Sequence, residues 1–135
     1  MNEISMDDLF REAKDAALKA YAPYSRFRVG AALLTEDGSV ITGCNVENVS
    51  FGLTICAERS AVVRAVSMGY RAFRAAAIAG LDSKTPVAPC GACRQVLAEF
   101  MTPAAPVRFG SSGPALVDTT IGDLLPSNNP LELPE

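Results

Sequence analysis

The period of apolar and polar positions changes several times along the chain, and each change marks an element. Ser5 followed by Asp8 resembles a helix capping box. Apolar side chains then recur at Leu9, Phe10, Ala13, Ala16, Ala17 and Ala20, the spacing of an amphipathic helix. "APYS" should end that helix, because Pro23 pushes Ala22 out of helical geometry. "FRVGAALL" (27–34) and "SVITGCN" (39–45) read as strands, joined by "TEDG" with its turn-forming Asp37-Gly38 pair. "CAERSAVVRAVSMGY" (56–70) predicts a second helix, and Gly69 is placed to end it in a left-handed cap. "FRAAAIAG" (73–80) suits a buried strand, although periodicity alone leaves helix open. "CGACRQVLAEFM" (90–101) predicts a third helix stopped by Pro103. "PVRFG" and "PALVD" give weaker strands, and "TTIGDLLP" a short last helix.

The predicted order is therefore α-β-β-α-β-α-β-β with a short final helix. It suggests a mixed sheet of about five strands packed by helices in an α/β layered domain. No internal repeat, low-complexity tract or linker interrupts the 135 residues, so 1–135 is read as a single domain. A hydrophobic content of 49% is ample for one core.

Charge narrows the partners. Twelve basic residues against fifteen acidic ones give a net charge of −3, which offers no field for attracting nucleic acid. A small or neutral ligand fits better. No apolar run approaches the ~18 residues of a membrane span. The opening "MNEISMDDLF" lacks the basic and apolar regions of a signal peptide, so the expected location is cytoplasmic, with no membrane partner. In a reducing compartment the four cysteines are expected as thiols or metal ligands rather than disulfides.

The chain has no histidine, so a metal site must use thiolates and carboxylates. Two predicted helices begin at cysteines: Cys56 on one, Cys90 and Cys93 on the other. A helix start presents unpaired N–H groups and partial positive charge, which favours thiolate over thiol. Two such ends brought together would set three sulfurs around one point, with Arg59 and Arg94 close by to offset their charge. Zinc suits that donor set, and three protein ligands leave its fourth position open, as in catalytic sites. A C-x-x-C can also be a redox pair, and Cys44 could complete a closed, structural four-sulfur site. Glu58 separates the readings: beside an open zinc site it is a proton carrier, whereas otherwise it is an ordinary acid at a helix start.

C-A-E-R followed further on by P-C-x-x-C resembles the zinc-dependent cytidine deaminase superfamily. "YAPYSRFRVGAALL", "GCNVEN", "CAERSA", "PCGACRQVL" and "DLLP" match in order over most of the chain. Cysteine at the first ligand position makes the likeness closest to the small, all-cysteine enzymes of free-nucleoside metabolism. The resemblance implies a three-layer α/β/α fold with a five-stranded mixed sheet. It implies one zinc per chain on Cys56, Cys90 and Cys93, with Glu58 as proton shuttle and Arg59 hydrogen-bonded to the thiolates. Asn45 and Glu47 match residues that bind the ribose, Phe27 an aromatic beside the pyrimidine, and the Ala57 N–H a donor to the base carbonyl. Asn45 and Glu47 could equally serve the turn they follow, and Phe27 the core.

The resemblance further implies hydrolytic deamination of cytidine or deoxycytidine in pyrimidine salvage, by a homotetramer whose subunits complete one another's sites. Two positions depart from the pattern. Phe51 stands where tyrosine is common, and Asn129 near an expected phenylalanine, in a tail (126–135) expected to move freely or to reach a neighbouring subunit. A modified cytosine nucleoside or a cytosine-nucleoside antibiotic is therefore the alternative substrate. The alternative outside enzymes is a structural four-cysteine zinc domain that binds a partner.

Overall fold

A computed structural model describes residues 4–126 of the chain. The Ser5 side chain accepts a hydrogen bond from the Asp8 N–H at 3.1 Å and caps α1, Met6–Ala17. Leu9, Phe10, Ala13, Ala16 and Ala17 are its buried residues, as the spacing predicts. The helix nevertheless ends at Ala17, well before Pro23. Lys19 and Ala20 donate back only three residues, a tightened last turn, and the Tyr21 N–H donates to the Asn45 carbonyl at 3.0 Å. A long-range bridge between Tyr21 and Val46 thus ends the helix before the proline can.

Strands β1 (Val29–Thr35) and β2 (Val40–Cys44) form an antiparallel hairpin with Gly38 at φ 87° in its turn. Helix α2 (Ala57–Ser67) follows, closed by Gly69 at φ 104°. Next come β3 (Phe73–Gly80), α3 (Gly91–Phe100), β4 (Pro106–Ser111), β5 (Leu116–Thr120) and the short α4 (Ile121–Leu124). The sheet order is β2-β1-β3-β4-β5, with β3 and β4 parallel and the other pairs antiparallel. A 3-10 turn at Phe51–Leu53 is the one described element with no periodic signal in the sequence.

Helices cover both faces of the sheet. On one, Leu9, Phe10 and Ala13 of α1 pack on Ala32, Leu34, Ala75, Ala77 and Ala79. On the other, Ala57, Ala61 and Val62 of α2 and Leu97 of α3 pack on Leu33, Ile78 and Val107. This burial on both faces explains why "FRAAAIAG" lacks alternation. The fold is the three-layer α/β/α sandwich with a five-stranded mixed sheet. Among the described residues, no helix is long and apolar enough to cross a membrane.

Register places the start of β1 beside the ends of β2, β3 and β4, through the pairs Gly30–Cys44, Val29–Gly80 and Gly80–Ser111. The loops that lead into α2 and α3 leave from this edge. Clefts at the carboxyl ends of strands are where open α/β sheets bind ligands.

Candidate active site

Cys56 and Cys90 are the N-caps of α2 and α3, and neither side chain caps its own helix. Their sulfurs are free to turn toward each other. The Sγ atoms of Cys56, Cys90 and Cys93 lie within 4.8 Å of one another, the group among the described residues placed to hold an ion. All four cysteines are free thiols, and Cys44 lies apart, its sulfur 3.5 Å from the Lys19 carbonyl. The four-sulfur closed site is therefore not formed.

The cluster is electrostatically prepared. A hydrogen bond from Cys93 holds the Cys56 thiol well below its ordinary pKa, against burial and with help from Arg59. Cys93 is pushed up in turn, because it donates to Cys56 and because burial disfavours its own charge. Arg59 Nη2 donates to Cys56 Sγ at 3.3 Å, and its Nε is buried without a hydrogen-bond partner. Arg94 serves elsewhere, in a correction to the sequence reading: its guanidinium donates to the carbonyls of Pro89 at 2.8 Å and Leu124 at 3.0 Å. It ties α4 to the loop before Cys90.

These residues fit zinc. Zinc–thiolate bonds are about 2.3 Å long, and three sulfurs within 4.8 Å of one another can share one ion. Three thiolates around a divalent cation leave one negative charge, which the Arg59 guanidinium matches.

Glu58 follows in the first turn of α2 and is only 5% exposed. Burial raises its carboxyl to about 7, opposed by a backbone hydrogen bond and reinforced by the Cys56 charge. It lines a cavity of about 170 Å³ together with Asn45, Thr54, Cys56, Ala57 and Cys90, and with Val29, Val87 and Ala88 as apolar wall. A carboxyl that titrates near neutrality beside a metal-binding cluster is suited to taking up and returning protons.

Asn45 is buried, and its side chain accepts from the Val29 N–H at 2.9 Å and donates to the Phe27 carbonyl at 2.8 Å. It pins the start of β1 while lining the cavity. Glu47 lies in an adjoining cavity of about 340 Å³, lined by Tyr24, Ser25, Phe51 and Thr54, so Thr54 borders both spaces. Phe51 packs edge-on against Tyr24 at 5.9 Å between ring centroids and is exposed. Phe27 precedes β1, is half-buried and lines neither cavity. Asn129 falls outside the described residues.

The structure thus brings together Cys56, Ala57, Glu58, Arg59, Cys90, Cys93 and Asn45, with Glu47 next door. Sequence reasoning missed Thr54, Val87, Ala88, Tyr24 and Ser25. Tyr24 and Ser25 stand within the matched "YAPYSRFRVGAALL", and Val87 and Ala88 directly precede the P-C-x-x-C. Their motif position was a usable signal; periodicity offered none.

Residues 4–108 match the family described as the cytidine and deoxycytidylate deaminase zinc-binding region. The chain belongs to that family. It is 52% identical over 118 residues to a cytidine deaminase of Halalkalibacterium halodurans, covering 87% of this chain and 89% of the relative. A cytidine deaminase of Sporosarcina psychrophila is 48% identical over 123 residues, covering 91% and 90%. The crystal structure of a cytidine deaminase from Burkholderia pseudomallei superimposes with a TM-score of 0.87 at 49% identity, covering 92% of this chain and 98% of that one.

Proposed function

We propose that this chain hydrolyses cytidine and deoxycytidine to the uridine products and ammonia, as a zinc enzyme of pyrimidine salvage in the cytoplasm. The observation that carries the reading is Glu58: a buried carboxyl raised to about 7, lining one cavity with two cysteines of the three-sulfur cluster. Identity near one half to cytidine deaminases over most of the chain supports the substrate class.

Cys56, Cys90 and Cys93 hold the ion. Zinc, when bound, supplies Lewis acidity that brings the pKa of water down toward about 7. Glu58 takes a proton from the attacking water and delivers it to N3 of the cytosine ring, which makes C4 electrophilic. Water oxygen bonds to C4, and Glu58 then carries the remaining proton to the 4-amino nitrogen, which leaves as ammonia while C4 becomes a carbonyl. One carboxyl acts as base and then acid, the role its near-neutral pKa suits. Arg59 balances the thiolates, and the Ala57 N–H at the start of α2 donates to the base carbonyl. Asn45 and Glu47 take the sugar hydroxyls.

A homotetramer completes the picture. Val49, Phe51 and Leu53 are exposed on the loop after β2, with Phe51 lining the cavity that holds Glu47, and Val63 on α2 and Met68 at its C-cap are exposed too. Apolar surface of this kind is a common mark of an interface between chains.

Phe51 favours a second substrate reading. Its ring brings no hydroxyl to the cavity it lines, which suits a cytosine derivative altered at sugar or base. Ammonia release from a panel of cytosine nucleosides tests both. Turnover of cytidine and deoxycytidine supports the first reading; turnover restricted to a modified member supports the second; no ammonia from any member refutes the deaminase.

A further inference from the structure

We infer that Ser25 is a positioning residue for substrate binding, its hydroxyl orienting the one oxygen of Glu47, Oε2, that remains open to a ligand hydroxyl. The inference rests on the reading that Glu47 takes a sugar hydroxyl.

Both Glu47 oxygens are engaged by one short turn. Oε1 accepts from the Tyr24 N–H at 3.0 Å and from the Ser25 N–H at 3.1 Å, while Oε2 accepts from the Ser25 hydroxyl. A carboxylate oxygen offers two accepting directions. Oε1 is therefore filled, and Oε2 keeps a single one, at the cavity that Glu47 and Ser25 line together. The Ser25 oxygen itself accepts from the Phe27 N–H at 3.0 Å. That bond leaves its one proton directed at Glu47.

The turn itself argues for a purpose beyond connection. Arg26, between Ser25 and Phe27, has φ 59°, the one non-glycine residue in the left-handed region among those described. That conformation is uncommon for an ordinary side chain and persists where the surroundings hold it. Here the holders are the Glu47 carboxylate and the bond from the Arg26 N–H to the Ala22 carbonyl at 2.9 Å. Glu47 is in turn anchored through its own N–H to the Tyr21 carbonyl at 2.8 Å. The Ser25 hydroxyl also does most to keep the Glu47 carboxyl below its ordinary pKa, so it meets a ligand as a pure acceptor. Without that hydroxyl, Oε2 is held only through the two N–H bonds to Oε1, the Phe27 N–H loses its acceptor, and a ligand hydroxyl meets a less fixed partner.

The test compares wild type with Ser25→Ala, Ser25→Thr and Glu47→Ala, with cytidine as substrate and 2′,3′-dideoxycytidine, which lacks the 2′ and 3′ hydroxyls, as a competing ligand. Ser25→Ala is expected to raise KM for cytidine about fivefold, the worth of one hydrogen bond, with kcat changed less than about twofold. The inhibition constant of the dideoxy compound should stay at the wild-type value, and Ser25→Thr should restore KM. If Ser25→Ala folds poorly, Ser25→Cys, of similar size but a weak donor, should show the same raised KM at unchanged kcat. An unchanged KM in Ser25→Ala or Ser25→Cys, or equal weakening of cytidine and the dideoxy compound, overturns the inference. Glu47→Ala separates the two levels. If it too leaves KM for cytidine unchanged, the sugar-binding reading fails; if it alone raises KM, only the role of Ser25 fails.

Discussion

At the scale of single residues, the four cysteines divide by what surrounds each sulfur. Cys56, Cys90 and Cys93 converge at two helix starts, whereas Cys44 faces the Lys19 carbonyl at the end of β2. Cys44→Ser is expected to keep one zinc per chain by atomic absorption. Serine at 56, 90 or 93 should lower the metal content sharply, because a hydroxyl replaces a soft ligand. Equal loss from Cys44→Ser would contradict this assignment. The three-cysteine set and Glu58 were legible because their chemistry is local: each sits at or just inside a helix start that the sequence announces. The role of Arg94 was not legible because its bond to the Leu124 carbonyl depends on how α4 packs, which no local spacing encodes.

At the scale of elements, the site depends on how closely α2 approaches β2. A Cβ on Gly43 would fall 2.8 Å from the Ala57 carbonyl oxygen and against the Ala61 nitrogen, inside the first turn of α2. Gly43→Ala should shift that turn and cost roughly 1–3 kcal/mol. A melting temperature lowered by several degrees and weaker zinc retention are expected; unchanged values for both would show that the helix start is not set by this contact. The loop toward Cys90 has its own anchor in Asp82, which accepts from the Arg28 N–H at 2.8 Å and from its guanidinium at 2.9 and 3.0 Å. The Arg28 guanidinium holds the Asp82 carboxyl down at about 2. A depressed carboxyl stabilises the fold above its unfolded value near 4, and that contribution is lost as pH falls through about 2. Urea denaturation of Asp82→Asn should therefore show a deficit at neutral pH that shrinks across this window, whereas a deficit independent of pH would contradict the account. The elements themselves were largely legible from period and caps. The end of α1 was not, because the Tyr21–Val46 bridge joins segments distant in sequence and overrides the local proline signal.

At the scale of the molecule, sheet order does what no motif announces. Pairing β3 between β1 and β4 puts the starts of α2 and α3 at one edge, where Cys56 meets Cys90 and Cys93. The helices could be read from the chain, whereas their convergence follows from strand pairing over long separations. The apolar surface at Val49, Phe51, Leu53, Val63 and Met68 belongs to this scale too. Light scattering at micromolar concentration should give about four times the chain mass of 14.2 kDa, and a mass near that of one chain would contradict the tetramer. A three-sulfur zinc site and the Glu58 carboxyl are proposed to deaminate a cytosine nucleoside together. Zinc content and cytidine turnover measured on the same preparation of Glu58→Gln test it most directly. An amide fills the same space but cannot accept and pass on a proton. The expected result is one zinc per chain, as in wild type, with turnover lowered by about 10²–10⁴-fold or more. Wild-type turnover in Glu58→Gln would remove this carboxyl from the reaction and contradict the mechanism.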